Sequence, residues 1–471
     1  MRPFEFGLPI LLIAYTLWPV LSGRRRPVYV NGLAPLALVV TVLHLALEGY
    51  RWQMLPLYLL VLGACLTAAL ATRRPGSAVF RRRSWRGIGL IGMTVLVVAA
   101  TTLPMLLPVP RLPAPSGRYA VGTVTVELVD TTREEIYSGR ANEPRRFLIQ
   151  IWYPAVPEPG ARPAPWMENA RIVGPAVAEW LHLPRFFLDH LALARTASFT
   201  GAPMDRSGAP YPVLVFSHGW GGFRAQNTYQ MQELASHGYV VVGMEHTYGA
   251  VVTVFADGQV AANNPAALPD GVSDAEYEAA ARRLVQQWIG DMAFTLDTLE
   301  TWNRADPEGR FEEMLSLTSI GVLGHSTGGA AAIEFCANDP RCSGGVAMDA
   351  WMTPVTEETL ARGLTKPFLF LFSELWPTEK NQALFDRLQQ HSNSGDQVVT
   401  ILGADHYDFS DLPALTPLAP QLGLKGPIQG ARVQTIVNAY SLACLDLLLK
   451  GQATTLLDGP SAAYPEVRFD R

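Results

Sequence analysis

Residues 324–329 read Gly-His-Ser-Thr-Gly-Gly, a serine between glycines directly after the apolar run 318–323. A strand that enters a sharp turn and leaves as a helix exposes a serine oxygen at the turn, and glycines there avoid Cβ collisions. This layout makes Ser326 a candidate nucleophile toward a carbonyl carbon. A serine hydroxyl is a poor nucleophile alone, so a base must take its proton and a third group must orient that base. In such a fold the acid and then the histidine follow the serine, each after a later strand. His406 lies in Gly403-Ala404-Asp405-His406, after the strand-like residues 397–402, and is the expected base. His391 precedes that strand in a polar helix-end setting and reads as a surface residue. Two acids compete for the third position: Asp349 after the strand-like residues 345–348, and Glu374 after 367–372. Spacing alone does not separate them. Asp405 and Asp408 stand too close to His406 along the chain to orient its ring and read as turn residues.

Negative charge that develops on a substrate oxygen must meet preorganised N–H donors. One donor is expected from Thr327, the residue after the nucleophile, and the other from an early strand-to-helix loop. The run 216–224, Phe-Ser-His-Gly-Trp-Gly-Gly-Phe-Arg, fits that loop, with the Trp220 amide as the expected second donor. Neither a metal nor an organic cofactor is implied by this set.

The elements that must carry these residues alternate between short β-branched runs and helical patterns from residue 118 onward, which indicates an α/β domain. Eight strands are expected at 121–129, 147–153, 213–217, 239–244, 319–323, 345–348, 367–372 and 397–402, with covering helices at 280–303 and 432–449. Residues 154–167 and 256–271 are rich in Pro, Ala, Asn and Gly and read as loops. The expected fold class is an α/β-hydrolase fold, a mostly parallel central sheet flanked by helices.

Residues 119–451 resemble the plasma-type platelet-activating factor acetylhydrolases, also called group VII phospholipases A2. The resemblance is carried by 216–224, by Gly-His-Ser-Thr-Gly-Gly at 324–329, by Met-Asp-Ala-Trp-Met-Thr at 348–353, by Phe-Leu-Phe-Ser-Glu at 370–374 and by His406. It implies that the acid of the Asp-Ala-Trp-Met segment, here Asp349, is the triad member, giving Ser326, Asp349 and His406. The family's Glu/Asp-His-Arg-Asp run appears here as Glu245-His246-Thr247-Tyr248, without its arginine and second acid. Bacterial polyester and cutin hydrolases share the elbow pattern and usually place the acid one strand later, at the Glu374 position.

The first quarter of the chain is of a different character. Charged residues make up 17% of the 471 residues, hydrophobic ones 49%, and mean hydropathy is +0.13. Apolar stretches at 4–21, 28–47, 52–71 and 87–109 each approach the ~20 residues that cross a bilayer, so four transmembrane helices are expected. Buried core helices are rarely so free of charge four in a row, and a cleaved leader would need a stronger basic start and a small-residue cleavage site. Glu5 and two prolines make the first stretch the weakest. Arg24, Arg25 and Arg26 follow the first, and Arg73, Arg74, Arg81, Arg82, Arg83 and Arg86 separate the third from the fourth. By the positive-inside rule both loops are expected to be cytoplasmic, which makes everything after about residue 111 extracytoplasmic. The expected organisation is thus a membrane region, 1–110, and a catalytic domain, 111–471, in a multi-pass cell-membrane protein. Residues 104–115, rich in proline, are expected to end the fourth span and form a stiff linker. Cys336 and Cys342 could pair in an oxidising compartment, whereas Cys65 and Cys444 read as buried thiols.

The net charge of −5 and a pI near 6.0 disfavour a nucleic-acid partner, which calls for a basic face. The expected partners are a lipid or small ester substrate and the membrane, and no protein partner is implied. The expected activity is serine ester hydrolysis of short or oxidised acyl chains on phospholipid-like esters. Transfer to an envelope acceptor and an inactive scaffold are the alternatives.

Overall fold

The computed structural model describes residues 1–21, 27–73, 83–393 and 395–470. Arg24, Arg25, Arg26, Arg74, Arg81 and Arg82, on which the expected membrane orientation leans, lie outside the described residues. The chain forms two compact units. The first holds Met1–Pro110 with the short stretches Asp189–Ala194 and Leu415–Leu418, and the second holds the remainder.

In the first unit the helices are α1 (Pro3–Leu21), α2 (Val28–Asn31), α3 (Leu33–Leu47), α4 (Leu55–Arg73) and α5 (Arg83–Leu106). Among the described residues two helical segments, Tyr29–Leu47 and Trp52–Leu70, are long and apolar enough to cross a membrane. Pro3–Trp18 of α1 and Ile91–Leu106 of α5 are apolar as well, and among the described residues two of the four expected spans meet that criterion. Helix α5 includes Pro104 and ends at Leu106, within the proline-rich stretch. Proline has no N–H to donate four residues back, so Pro108 leaves the Pro104 carbonyl without a helical donor, and that carbonyl accepts from Arg51.

Glu5 has a structural explanation here. Its carboxylate accepts from Arg2 at 2.8 Å and from Arg51 at 2.8 Å, and Arg51 also donates to the Leu107 carbonyl at 2.8 Å. His44 of α3 bridges Glu48 at 2.8 Å and the Tyr58 hydroxyl of α4 at 2.7 Å. Charges in apolar surroundings persist when they are paired. The ligand-type atoms of Glu5, His44 and Glu48 lie within 4.8 Å of one another, but Arg2 and Arg51 supply the positive charge at Glu5.

The strands of the second unit are β1 (Ala120–Glu134), β2 (Pro144–Ala155), β3 (Pro163–Pro165), β4 (Arg195–Thr200), β5 (Tyr211–Ser217), β6 (Val240–Glu245), β7 (Val252–Val254), β8 (Val260–Ala262), β9 (Leu315–His325), β10 (Cys342–Met348), β11 (Phe368–Ser373), β12 (Gln397–Ile401) and β13 (Val467–Phe469). Its helices are α6 (Ala170–Trp180), α7 (Thr228–Ser236), α8 (Asp274–Arg304), α9 (Thr327–Asn338), α10 (Glu357–Arg362), α11 (Glu379–His391) and α12 (Arg432–Lys450). Eleven strands form one sheet in the order β13-β12-β11-β10-β9-β5-β6-β2-β1-β4-β3. From β12 to β6 every neighbouring pair is parallel, while β2 returns antiparallel beside β6.

Side-chain alternation splits the interior into two cores. Val213 and Val215 point into one with Trp288 and Leu296 of α8 and Ile333 of α9. Leu214 and Phe216 point into the other with Leu234 of α7 and Val437 of α12. Helix α8 starts at a capping box in which Ser273 and Glu276 satisfy each other's backbone N–H groups.

All eight expected strands are present, and the sheet adds β3, β4 and β13. Two expected loops contain short strands: β3 lies within 154–167, and β8 within 256–271, where it pairs with β7 across Asp257-Gly258. Strands of three residues carry too little pattern to register in the chain; their neighbours define them.

Cys336 at the end of α9 and Cys342 at the start of β10 form a disulfide. Replacing both with alanine is expected to lower stability by about 2 kcal/mol, the loop-closure scale for a short bridge. Chemical denaturation of the purified variant beside the parent measures this, with specific activity per folded molecule unchanged.

Candidate active site

The parallel strands deliver their carboxyl ends to one edge of the sheet, where a ligand crevice forms in open α/β folds. β9 ends at His325, and Ser326 follows with φ 57° and ψ −120°, a strained turn that opens directly into α9. Its N–H donates to the Met348 carbonyl at 3.0 Å, and its carbonyl accepts from the Trp351 N–H at 3.0 Å. The turn is therefore clamped between β10 and the segment after it. Gly328 abuts the carbonyl oxygens of Ser217 and His218 so closely that a Cβ would collide with backbone.

Asp349 lies one residue beyond β10, fully buried, with φ 42°. One carboxylate oxygen accepts from the Ser373 N–H at 2.8 Å and the other from the Ser373 hydroxyl at 2.6 Å. That second oxygen is also 3.1 Å from His406 Nδ1. With Nδ1–H donating to Asp349, Nε2 carries the free lone pair that a general base needs. Glu374 is exposed, and its carboxylate accepts from the Gly403 N–H at 2.7 Å, at the start of the loop that carries His406. His391 is exposed on α11 and its Nδ1 bonds the Arg387 carbonyl at 2.9 Å. Asp405 and Asp408 form a capping box around the short 3-10 turn that begins at His406.

The loop after β5 lies against the serine. A Cβ placed on Gly219 would sit 3.1 Å from Ser326 Cβ. The Gly221 N–H donates to Gly249 O at 2.9 Å and the Gly222 N–H to Gly219 O at 2.9 Å. Among the described residues the Trp220 N–H meets no acceptor. Thr327 heads α9, where the first N–H groups have no partner within the helix and the dipole favours negative charge. A hollow of about 350 Å³, including its open mouth, adjoins this loop and is lined by Val177, Trp180, Trp220, Phe223, Tyr407 and Leu412.

Several groups around the site escaped sequence reasoning. Trp376 stacks on the His406 ring at 4.3 Å with the planes 15° apart. His325 donates from Nε2 to the His406 carbonyl at 3.0 Å and accepts at Nδ1 from Gln226 at 3.1 Å. Burial, and then the neighbouring His406, push its imidazole well below the usual histidine range. Buried Asp411 accepts from the N–H groups of Thr228 at 2.8 Å and Tyr229 at 3.3 Å and from Trp166 at 3.1 Å. Burial pushes its carboxyl well above the usual range. It ties the His406 loop to the start of α7. The available signal was proximity in the chain: His325 adjoins the serine, and Trp376 and Ser373 flank Glu374.

The platelet-activating factor acetylhydrolase, isoform II, family model matches residues 108–454. A platelet-activating factor acetylhydrolase of Cavia porcellus is 26% identical over 357 residues, covering 72% of this chain and 78% of that protein. A probable 1-alkyl-2-acetylglycerophosphocholine esterase of Arthroderma benhamiae is 26% identical over 392 residues, covering 76% and 93%. Among solved structures, a ferulic acid esterase from Streptomyces cinnamoneus superposes with a TM-score of 0.64 at 27% identity, covering 77% of this chain and all of that one. These likenesses fall on the domain whose strand ends gather a serine, a histidine and buried carboxylates, and they make the chain an esterase that belongs to the platelet-activating factor acetylhydrolase family.

Proposed function

We propose that the chain is a membrane-anchored serine hydrolase that removes short or oxidised acyl chains from phospholipid-like esters through Ser326, His406 and Asp349. The observation that carries this reading is the contact of His406 Nδ1 with Asp349 at 3.1 Å, on the loop edge where strained Ser326 stands. In the reaction Ser326 Oγ attacks the ester carbonyl carbon and His406 Nε2 takes its proton. The resulting oxyanion receives hydrogen bonds from the Trp220 and Thr327 amides. His406 then protonates the leaving alkoxide, and the C–O bond breaks to give an acyl-enzyme. Water, deprotonated by the same imidazole, releases the acid and restores the serine. Asp349 orients the ring and stabilises the imidazolium. The apolar lining of the adjoining hollow suits a short acyl chain, and the relatives' named substrate, an acetylated glycerophosphocholine, is of that kind.

Support for anchoring comes from the two helices of spanning length and the apolar helices beside them. In this reading all four cross the bilayer. By the positive-inside rule the arginine-rich loops support an extracytoplasmic catalytic domain, and the Cys336–Cys342 disulfide suits an oxidising compartment. The solved ferulic acid esterase favours a second reading, a general or aryl carboxylesterase on the same residues. A panel of aryl, polyester and phospholipid substrates of graded acyl length, assayed on the intact membrane protein, separates the two. Added alcohol acceptors reveal any acyl transfer.

Ser326→Ala is expected to reduce p-nitrophenyl acetate hydrolysis about a million-fold, to background, and to abolish fluorophosphonate labelling; retained hydrolysis sinks the assignment. Asp349→Asn is expected to lower kcat about 10^4-fold, whereas Glu374→Gln changes it less than about tenfold. Steady-state kinetics on the two variants decides between the acids, and the reverse ranking overturns the choice of Asp349.

A further inference from the structure

We propose that Ser217, His246 and Asp291 form a second, buried Ser–His–Asp line that holds the oxyanion loop in register with the head of α9, with His246 as its positioning residue. The proposal rests on the reading above that the Trp220 and Thr327 amides receive the oxyanion. Ser217 Oγ lies 3.0 Å from His246 Nε2, and His246 Nδ1 lies 2.9 Å from Asp291 Oδ2. The carboxylate can only accept, so Nδ1 carries the proton and Nε2 accepts from the serine hydroxyl. The hydrogen-bond pattern is that of a catalytic triad. All three residues have no exposure to solvent, so no ester reaches Ser217 and the line has another task.

Its far end is fixed by charge. Asp291, on α8, pairs with Arg145 of β2 at 3.0 Å and 2.7 Å, and with Arg133 at 2.8 Å. Burial alone would raise the Asp291 carboxyl, but Arg145 and the His246 hydrogen bond outweigh it and hold the group below the usual range. Burial lowers His246, consistent with a neutral ring. The Trp288 indole stacks on that ring at 4.3 Å with the planes 6° apart. His246 is thus held by stacking, by an ionised acid and by its own backbone at the end of β6.

The near end is the oxyanion loop. The His246 N–H donates to His218 Nε2 at 3.2 Å, and His218 Nδ1 donates to the Gly219 carbonyl at 2.7 Å. Burial and the neighbouring His246 push the His218 imidazole down to about 3, so Nε2 stays free to accept. Beyond it, the Gly221 N–H donates to Gly249 O at 2.9 Å and the Val251 N–H to Gly222 O at 2.8 Å. The loop is fastened along its length to the segment that follows His246. Its other side carries the Ser217 and His218 carbonyls against Gly328 of α9. The line therefore fixes the peptide that sets the Trp220 amide relative to the Thr327 amide. Misplacing such a donor by about 1 Å costs on the order of 10^2 in rate.

The test uses the full-length, detergent-solubilised protein with p-nitrophenyl acetate as substrate and an aryl trifluoromethyl ketone as transition-state analogue. Ser217→Ala, which deletes one hydroxyl, and His246→Gln are each expected to lower kcat about 10- to 100-fold with KM within about twofold. The ketone's inhibition constant is expected to rise by the same factor as kcat/KM falls. Unchanged kcat in Ser217→Ala, or a loss of kcat with ketone affinity intact, overturns the proposal. Where His246→Gln fails to fold, the serine variant carries the test alone. An inactive Ser326→Ala beside a fully active Ser217→Ala refutes only this inference, whereas an active Ser326→Ala refutes the underlying site.

Discussion

The contact on which the rest of the site depends is the seat of α9 on the end of β5. Gly328 has no side chain because the carbonyl oxygens of Ser217 and His218 occupy the space a Cβ would need. That approach draws the Ser326 turn and the glycine loop together from two neighbouring parallel strands. Backbone contacts of this kind are rigid, since neither partner has a rotamer to change. What remains is to bring the candidate base and acid to the same edge, and the next strands do so in sheet order, with Asp349 directly after β10, its partner Ser373 at the end of β11, and His406 on the loop after β12.

Much of this was legible in the chain because the chemistry and the punctuation coincide there. Glycines around Ser326 mark the turn, short β-branched runs mark the central strands, and each triad candidate follows one of them. The choice between Asp349 and Glu374 was not legible from spacing, since both follow strands at one edge. In three dimensions a single strand step separates a carboxylate facing the imidazole from one that caps the Gly403 amide. The resemblance to the acetylhydrolases favoured Asp349 through a local run, and the geometry places that residue against His406. The run Glu245-His246-Thr247-Tyr248 stayed opaque for the opposite reason. Its partners, Arg224 for Glu245 at 2.7 Å and Ser217 and Asp291 for His246, come from other elements and have no signature beside it.

The amino-terminal unit repeats the lesson with charge instead of catalysis. Glu5 weakens a hydropathy reading of α1 when taken alone, yet it is one end of a buried pair with Arg51, which also binds the carbonyls that end α5. A linear scan scores each ionisable residue as a penalty, whereas the folded unit uses these residues to pin helices to one another. The short strands β3, β8 and β13 escaped the scan because three residues acquire their conformation from the neighbour that pairs with them.

The order of the sheet has a bearing on when the protein can act during its synthesis. Ser217 and its loop emerge early, Ser326 about a hundred residues later, and His406 some eighty residues after that. The imidazole reaches the serine's edge of the sheet only once β10, β11 and β12 have paired in turn. With the proposed triad, a nascent chain that already displays Ser326 carries an ordinary, unreactive hydroxyl, because the histidine assigned to activate it has not been translated or docked. On that reading hydrolytic competence arrives only with completion of the domain, and no earlier stage of synthesis carries an activated serine.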